Sequence, residues 1–301
     1  MCRSSGRSAS CRLCCEDAVV LRHPTVIIRP LETIDECRQV ADLERVVWGY
    51  TDAEDVVPPP VLIVSIKRGG ILLGAFDEAG QMQGFVYSIP AIKQGRVTQW
   101  SHMLGVVPAA RDAGLGATLK FAQREAALKM GIDLIEWTYD PLQAMNAHLN
   151  FAKLGVVVEE YEENIYGESS SPLHSGTPTD RLVVEWKLTA AHVDRRIESD
   201  GVALVRDASV ASAPLVNPSY DGGRTLAPGP PNLTLDAPRL LVEIPVGFSG
   251  LQEHAPSRAL EWRLATRRVF QHYFARGYRA VDFFLSRESG RGHYLLALGP
   301  E

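Results

Sequence analysis

Cysteine is absent from most of this chain. All of its cysteines lie within the first 37 of 301 residues: Cys2, Cys11, Cys14, Cys15 and Cys37. No disulfide can therefore join later parts of the chain, and this usage is typical of a reducing, cytoplasmic compartment. The cluster at 11–15 is followed by no histidine or second cysteine pair at the spacing of a zinc site, so we expect no metal.

Long apolar runs and an excess of basic residues are also missing. The longest apolar stretches, 61–66 and 71–76, are far shorter than the roughly 18 residues that a membrane-spanning helix needs. The formal charge is −5 and the isoelectric point is about 5.9, whereas proteins that follow a nucleic-acid backbone carry a concentrated basic face. We expect a small-molecule acceptor, no membrane or nucleic-acid partner, and either a monomer or a homodimer.

Composition divides the chain unevenly. Residues 1–15 hold several arginines and serines and no acid, so 1–24 is interpreted as a disordered or mis-started leader, or as an organellar transit peptide. Six prolines between 213 and 238 predict a linker or long surface loop over 189–238. The main domain is then expected over 25–188 and a smaller module over 239–301.

Hydrophobic periodicity predicts an α/β protein. The predicted helices begin at 33, 114 and 140, and the run 61–67 fits either a helix or a strand. Asp140 and Pro141 are expected as N-cap and first residue of the third helix, with Gln143 placed for a capping box. The predicted strands are 25–29, 71–76, 82–89, 97–107, 134–139, 156–165 and 182–188.

The last 60 or so residues repeat one of these patterns. Predicted strand, helix, strand and strand follow one another at 240–244, 257–276, 280–285 and 294–298. This β-α-β-β order is also predicted for 134–188, and both helices end in a glycine before a strand. The module is either a degenerate half-domain repeat or an unrelated unit with an ordinary glycine helix end.

The most informative motif is a pair of glycines, Gly114 and Gly116, at the start of a helix that follows a strand and a short loop. The first N–H groups of a helix lack intrahelical acceptors and carry the positive end of its dipole, so they bind phosphate. A Walker A loop would have Lys-Ser or Lys-Thr where Ala117 and Thr118 stand. A dinucleotide fingerprint would have a third small residue at Leu119.

The sequence Arg111-x-x-Gly114-x-Gly116, with a Leu-x-Val-x-Pro strand end before it, resembles the pyrophosphate-binding signature of the GNAT N-acetyltransferase superfamily. The resemblance covers about 26–188 and is to a GNAT subfamily that carries an extra C-terminal region. It implies a mixed, mostly antiparallel twisted sheet flanked by helices, splayed between the strands 97–107 and 134–139. Acetyl-CoA or another acyl-CoA would lie in that gap as co-substrate.

The same resemblance implies which residues hold the co-substrate. Pyrophosphate would lie on the N–H groups of 112–117, and pantetheine would pair with the backbone near Gly105. Ala144 stands where the family has a helix asparagine, so Asn146 and Asn150 are the candidates to contact pantetheine or substrate instead. Gly105 inside a strand also predicts a β-bulge. The expected cofactor-binding residues are Leu104, Gly105, Val106, Arg111, Asp112, Ala113, Gly114, Leu115, Gly116, Ala117 and Asn146.

Acetyl transfer to an amine requires a base, and His102 is the first candidate because it lies on the strand beside the expected thioester and titrates near neutrality. Strict alternation would place Trp100, His102 and Leu104 on one face. Glu136, on the neighbouring strand, is the rival. Either residue is alternatively an ordinary hydrogen-bonded or salt-bridged side chain of the sheet.

The general acid is where the sequence departs from the GNAT pattern. Phe151 stands where the family commonly has a tyrosine, and phenylalanine cannot donate a proton. The thiolate then leaves unaided or through water, or else Tyr139, Tyr161 or Tyr166 substitutes. The main hypothesis is an acyl-CoA-dependent N-acyltransferase, and the alternative is a module that binds acyl-CoA without turnover.

Two further residues are expected near the acceptor. Asp180 and Arg181 follow a long polar loop at 169–179 and precede the last strand of the domain. They are predicted either to hold a charged substrate or to form a surface ion pair.

Overall fold

The computed structural model describes residues 21–23, 26–111, 113–167, 176–199, 210 and 212–299. The strands are β1 Leu21–His23, β2 Val26–Pro30, β3 Ile71–Phe76, β4 Met82–Lys93, β5 Arg96–Val106, β6 Leu134–Tyr139, β7 Val157–Glu162, β8 Arg181–Lys187, β9 Ser219–Asp221, β10 Leu226–Pro228, β11 Arg239–Pro245, β12 Tyr278–Ser286 and β13 Arg291–Leu298. The helices are α1 Ile34–Trp48, α2 Pro59–Ile66, α3 Leu115–Lys129, α4 Ala144–Ala147, α5 Ala191–Glu198, α6 Phe248–His254 and α7 Pro256–Ala275.

Eleven of these strands form one sheet in the order β1-β2-β3-β4-β5-β6-β8-β7-β12-β13-β11. Strands β5 and β6 run parallel, and the other neighbours of this sheet are antiparallel in the described part of the chain. The expected mixed, mostly antiparallel sheet flanked by helices is therefore confirmed. No helix in the described ranges is both long and apolar enough to cross a membrane.

Apolar side chains on the two faces of the sheet form two cores. Phe85, Tyr87 and Met103 lie in the core that faces α1 and α2. Val86 and Leu104 belong to a second, larger core, which takes in α3 and continues into the C-terminal strands and α7.

Local sequence explains the helix starts. Thr33 and Glu36 form the two reciprocal hydrogen bonds of a capping box at the start of α1, which satisfies donors that a helix N-terminus leaves unpaired. The run 61–67 is mostly helical, because Pro59 and Pro60 in the first turn need no N–H acceptor. Gly80 has φ +77° in the β3–β4 turn, as predicted.

The prediction that Asp140 caps a helix is wrong. The helix starts at Ala144 with Gln143 as its N-cap residue, and it continues as a π-helix over His148–Leu154. Asp140 instead forms a buried ion pair with Arg263 of α7. A local capping pattern could not anticipate a partner more than one hundred residues away in sequence.

The segments outside the main domain contain more structure than their composition indicated. The stretch 189–238 holds α5 and the hairpin β9–β10. Strand β1 pairs with β2 inside the predicted leader, while residues 1–20, with Cys2, Cys11, Cys14 and Cys15, lie outside the described residues.

The C-terminal module extends the main sheet. Its β11-α7-β12-β13 order matches β6-helix-β7-β8, and in both units the third strand lies between the other two. The units join where β12 meets β7 at the pair Ala280 and Val158. The matching connectivity agrees with a half-domain repeat, whose origin by duplication stays a prediction.

Candidate active site

Strands β5 and β6 separate soon after they meet. Their register includes only two pairs, Gln99 with Ile135 and Trp100 with Glu136. Beyond them β5 continues along β4 as far as Val106, and β6 continues along β8 as far as Tyr139. The carboxyl-terminal parts of both strands therefore have an open edge toward a shared gap, as the sequence resemblance predicted.

A β-bulge lies where the strands separate. Tyr87 pairs with Met103 and Ser88 pairs with Ser101, so His102 is the extra residue of β5. The bulge predicted at Gly105 is wrong, because Gly105 pairs regularly with Phe85. A Cβ at Gly105 would lie 2.9 Å from the Phe85 ring and 3.3 Å from Trp48, so packing of α1 against the sheet requires the glycine.

The bulge changes which side chains share a face. The His102 ring contacts the Tyr87 ring edge-on at 6.2 Å, on the side of α1 and α2, whereas Leu104 packs into the core on the side of α3. The prediction of one shared face is therefore wrong. His102 is exposed, yet partial desolvation beside the sheet lowers its pKa, so the imidazole is neutral and basic at pH 7.

Side chains of α3 support the bulge from behind. The Lys120 ammonium nitrogen lies 3.1 Å from Ser101 Oγ and 2.8 Å from Gln123 Oε1, and 3.6 Å from the centre of the Trp137 ring. Burial lowers the pKa of Lys120 well below its ordinary value. This polar cluster, which the sequence analysis missed, holds Ser101 of β5 close to α3.

The N-terminus of α3 lies at the open end of the gap. Gly114 precedes the helix with φ +82°, and a Cβ there would meet nothing within 4 Å, so backbone conformation is what requires the glycine. A Cβ on Gly116 would lie 3.8 Å from Leu104 of β5 and 3.9 Å from Leu149 of the π-helix. The unpaired N–H groups of the first helical turn thus lie between the two sides of the gap.

A mixed sheet splayed at a parallel pair, with a helix N-terminus at its open end, is the arrangement that the resemblance implied. The solved structures named below are similar to this chain over slightly more than half of its length. No protein-family model matches the chain, and no curated protein matches it.

Three solved structures illustrate the likeness. The NatC complex bound to Gag peptide and CoA has a chain 13% identical, with 55% of this chain and 99% of that chain covered and a TM-score of 0.44. The ribosomal-protein-S18-alanine N-acetyltransferase from Escherichia coli is 15% identical, with 55% and 94% covered and a TM-score of 0.43. Aminoglycoside 6'-acetyltransferase type Ii is 19% identical, with 55% and 98% covered and a TM-score of 0.42.

The remaining predicted cofactor-binding residues are only partly placed around the gap. Arg111 is exposed, and its Nε donates to the carbonyl of Val106 at 3.2 Å. Leu115 and Ala117 are buried in the first turn of α3, Ala113 is exposed before it, and Asp112 lies outside the described residues. Asn146 is exposed while Asn150 is buried, since the π-helix begins between them and changes the helical repeat.

Glu136 is held by other side chains. It is buried on β6, and its Oε1 accepts a 2.6 Å hydrogen bond from the Lys93 ammonium, which also contacts Glu185 at 2.6 Å. The Glu136 carboxylate is therefore engaged by Lys93 within the sheet, whereas His102 is exposed. His102 remains the better base candidate.

Two of the candidate acids have their hydroxyl groups bound by other side chains. Tyr139 is buried, and its hydroxyl donates to the Tyr294 hydroxyl at 3.1 Å; burial raises the pKa of Tyr139 far above its ordinary value. Tyr161 donates to Asp180 at 2.6 Å, and burial followed by the Asp180 charge raises its pKa as well. Phe151 is buried edge-on against Tyr294.

Tyr166 is in a different position. It is 44% exposed, and its hydroxyl lies 2.6 Å from Thr138 Oγ1 near the end of β6. Of the three tyrosines considered from the sequence, it is the one whose side chain reaches solvent beside the splayed strand. It is therefore the best placed to protonate a leaving group.

Asp180 and Arg181 have different roles. Asp180 is buried and accepts from Arg267 at 2.8 and 2.7 Å and from Tyr161, so it is a structural anchor of the C-terminal module. Arg181 is also buried, against the Tyr166 ring. The alternative that the two form a surface ion pair is wrong because both are buried.

Glu44 is a buried carboxyl that the sequence analysis missed. Its Oε2 accepts from the Val57 N–H at 2.9 Å, and its Oε1 has no hydrogen-bond partner among the described residues. Burial raises the pKa of Glu44 to about 7. The available signal was its position on the buried stripe of α1 formed by Cys37, Val40 and Ala41.

Proposed function

We propose that this protein transfers an acetyl group from acetyl-CoA, or a related acyl group, to an amine. The observation that carries the proposal is the pair β5 and β6, which diverges after two residue pairs with the N-terminus of α3 at the open end. This arrangement offers a slot for an extended chain and N–H donors for its phosphates. The residues around it fit a CoA thioester without requiring a basic surface.

The proposed binding mode assigns separate parts of the co-substrate to separate elements. The N–H groups at 113–117 and the Arg111 guanidinium would hold pyrophosphate. The open edge of β5 from Leu104 to Val106 would pair with pantetheine, as a neighbouring strand does in a sheet. The open edge near the bulge would offer its backbone N–H to the thioester carbonyl, where negative charge develops during attack.

His102 is proposed as the base. Its lowered pKa keeps the imidazole neutral at pH 7, and its position in the bulge places it on the α1 and α2 side of β5. A neutral acceptor amine would attack the carbonyl carbon, the C–S bond would break, and the amine proton would pass to the imidazole. Tyr166 is proposed to protonate the departing thiolate.

Calorimetric titration with acetyl-CoA, together with thiol release in the presence of amines, tests this function. We expect acetyl-CoA binding and amine-dependent release of free CoA. If no CoA compound binds, both the transferase and a binding module are excluded. Tight binding without release to any amine would favour the binding module, which the burial of Phe151 at the family tyrosine position also favours.

A further inference from the structure

Three polar side chains are buried together behind the bulge that contains His102. The Lys120 ammonium nitrogen lies 3.1 Å from Ser101 Oγ and 2.8 Å from Gln123 Oε1, and Gln123 Nε2 donates to the same Ser101 Oγ at 3.1 Å. The exposed fractions are 6% for Ser101, 2% for Lys120 and 0% for Gln123. Because a buried polar group that loses its partner is costly, each of the three side chains holds the other two in place.

Stability alone does not explain a lysine at this position. Burial lowers the pKa of Lys120 well below its ordinary value. Among the described residues its ammonium contacts neutral groups, which are Ser101, Gln123 and the rings of Trp137 and Trp186, whose centres lie 3.6 and 5.5 Å away. A buried ammonium without a carboxylate costs more to desolvate than a methionine of similar length. A side chain kept at such a cost indicates a role in function.

The contact between Ser101 and α3 depends on the bulge. Met103 pairs with Tyr87 and Ser101 pairs with Ser88, which leaves His102 as the extra residue. In a regular ladder His102 would pair with Ser88, and the residues of β5 before it would slip by one place. Because neighbouring residues of a strand point to opposite faces, that slip would turn Ser101 away from α3 and break its hydrogen bonds to that helix.

A second polar link holds the same part of β5. Ser88 Oγ donates to Gln99 Oε1 at 2.7 Å, and Gln99 Nε2 donates to the Gly69 carbonyl at 2.7 Å. Ser88 and Gln99 are both fully buried, and the same slip would turn Gln99 to the other face of the sheet. Two buried links on the amino-terminal side of the bulge therefore favour the register in which His102 is the extra residue.

We propose that Lys120 is a positioning residue for acetyl transfer, because together with Gln123 it holds Ser101 and thereby fixes the bulge that presents His102. This inference rests on the proposed acetyl transfer. The Ser101 contacts lie on the α3 side of the sheet, whereas the His102 ring lies on the side of α1 and α2, 6.2 Å from the Tyr87 ring. Lys120 therefore acts through the backbone of β5. A displacement of about 1 Å at a reacting group can lower the rate by about 100-fold.

The test separates positioning from stability in the full-length protein, with thiol release from acetyl-CoA in the presence of a panel of primary amines. Ser101→Ala leaves the buried Lys120 ammonium without one of its partners, so it should lower both the stability and kcat, the latter by tenfold or more. Ser101→Ala combined with Lys120→Met removes that ammonium, so the stability should return to the wild-type value or above while kcat stays at least tenfold low. Acetyl-CoA affinity, measured by calorimetry, should stay within twofold.

Two further variants serve as controls. Ser101→Thr keeps the hydroxyl that Lys120 and Gln123 hold, so kcat should stay within threefold of wild type. Lys129→Met makes the same change at an exposed position of α3 and should leave stability, kcat and acetyl-CoA affinity unchanged.

The edge-on contact between His102 and Tyr87 gives a readout that needs no turnover. The ring-proton resonances of His102, assigned in NMR spectra by their loss in His102→Asn, should move toward those of a solvated histidine in the double variant of Ser101 and Lys120. They should stay in place in Lys129→Met.

Recovery of kcat together with stability in the double variant would overturn the inference, since it would show that Lys120 and Ser101 matter for folding alone. Unchanged His102 resonances in the double variant would also overturn it. If the wild-type protein releases no thiol with any amine but the His102 resonances move, the link between Lys120 and the bulge is supported and acetyl transfer is contradicted.

Discussion

At the scale of single residues, the proposed role of His102 as general base can be tested by replacing it. His102→Asn should lower amine-dependent CoA release by about 100-fold or more, the usual contribution of a general base, with acetyl-CoA affinity within about twofold. The wild-type rate should fall on acidification below pH 6.5, since the pKa of His102 is lowered and only the neutral imidazole accepts a proton. That acidic limb should be absent in the variant.

The exposed His254 on α6 provides the control for this prediction. His254→Asn should leave the rate and its pH profile unchanged. Unchanged turnover in His102→Asn, measured by thiol release between pH 5 and 9, would exclude His102 as the base and return attention to water or to the amine's own deprotonation.

Glu44 should make stability depend on pH. Its folded-state pKa is about 7 against an ordinary value of 4.5, so the folded protein binds the proton more tightly than the unfolded chain. The stabilisation from that proton is complete below about pH 4.5 and is lost as pH rises through 7. Glu44→Gln should therefore raise the free energy of unfolding at pH 8 by up to about 3 kcal/mol.

The free energies of unfolding of the wild-type protein and of Glu44→Gln should converge near pH 4. There the wild-type Glu44 carboxyl is protonated in both the folded and the unfolded state. Urea unfolding at several pH values measures this, and Glu54→Gln, at an exposed position, is the matched control. A constant difference between Glu44→Gln and wild type across that pH range would contradict a titrating Glu44.

At the scale of elements, a substitution in the first turn of α3 should affect acetyl-CoA binding and helix stability in opposite directions. Gly116→Asp fits sterically, because a Cβ there meets only Leu104 and Leu149 at 3.8 and 3.9 Å. A carboxylate in the first turn stabilises a helix by about 0.3–1 kcal/mol, yet it would repel pyrophosphate. We expect the variant to be at least as stable as wild type and to bind acetyl-CoA at least tenfold more weakly.

Gly116→Asn has nearly the same shape without the charge and is the control for Gly116→Asp. Calorimetry with acetyl-CoA should show the asparagine variant closer to wild type. Equal affinities for the two variants would show that phosphate does not bind at this helix start.

Periodicity was a good guide to these elements wherever local contacts decide them. The predicted hairpin at Gly80, the helix after Gly114 and the strand 134–139 are confirmed. The bulge at His102 was not predictable, since a strand of eleven residues with ordinary alternation carries no local mark of an inserted residue. The start of the helix after β6 was misplaced because Asp140 is bound by Arg263 instead of capping.

At the scale of the whole molecule, the two units should unfold together. One apolar core includes residues of both, among them Phe151, Val158, Phe270 and Tyr294. Arg263→Ala should destabilise the entire protein by about 3–5 kcal/mol, because Asp140 would be left as an unpaired buried charge. Urea unfolding followed by circular dichroism and by tryptophan fluorescence should show a single coincident transition in the wild-type protein.

Arg258→Ala removes a more exposed arginine of the same helix and should cost less than about 1 kcal/mol. If Arg263→Ala lowers the free energy of unfolding as little as Arg258→Ala does, the buried pair of Arg263 and Asp140 has no stabilising role. Two separate transitions in the wild-type protein would instead show that the C-terminal module folds independently.

The sequence by itself determined the features that depend on near neighbours along the chain: most of the strands and helices of 25–188 and the glycine-rich start of α3. Only the tertiary structure decided where β5 and β6 part, that His102 is the bulged residue, that Tyr139 is buried, and that Arg263 pairs with Asp140. The physical reason is the separation along the chain over which each interaction acts. Backbone conformation and amphipathicity are set within a few residues, whereas burial and charge pairing depend on residues that folding brings together from distant positions.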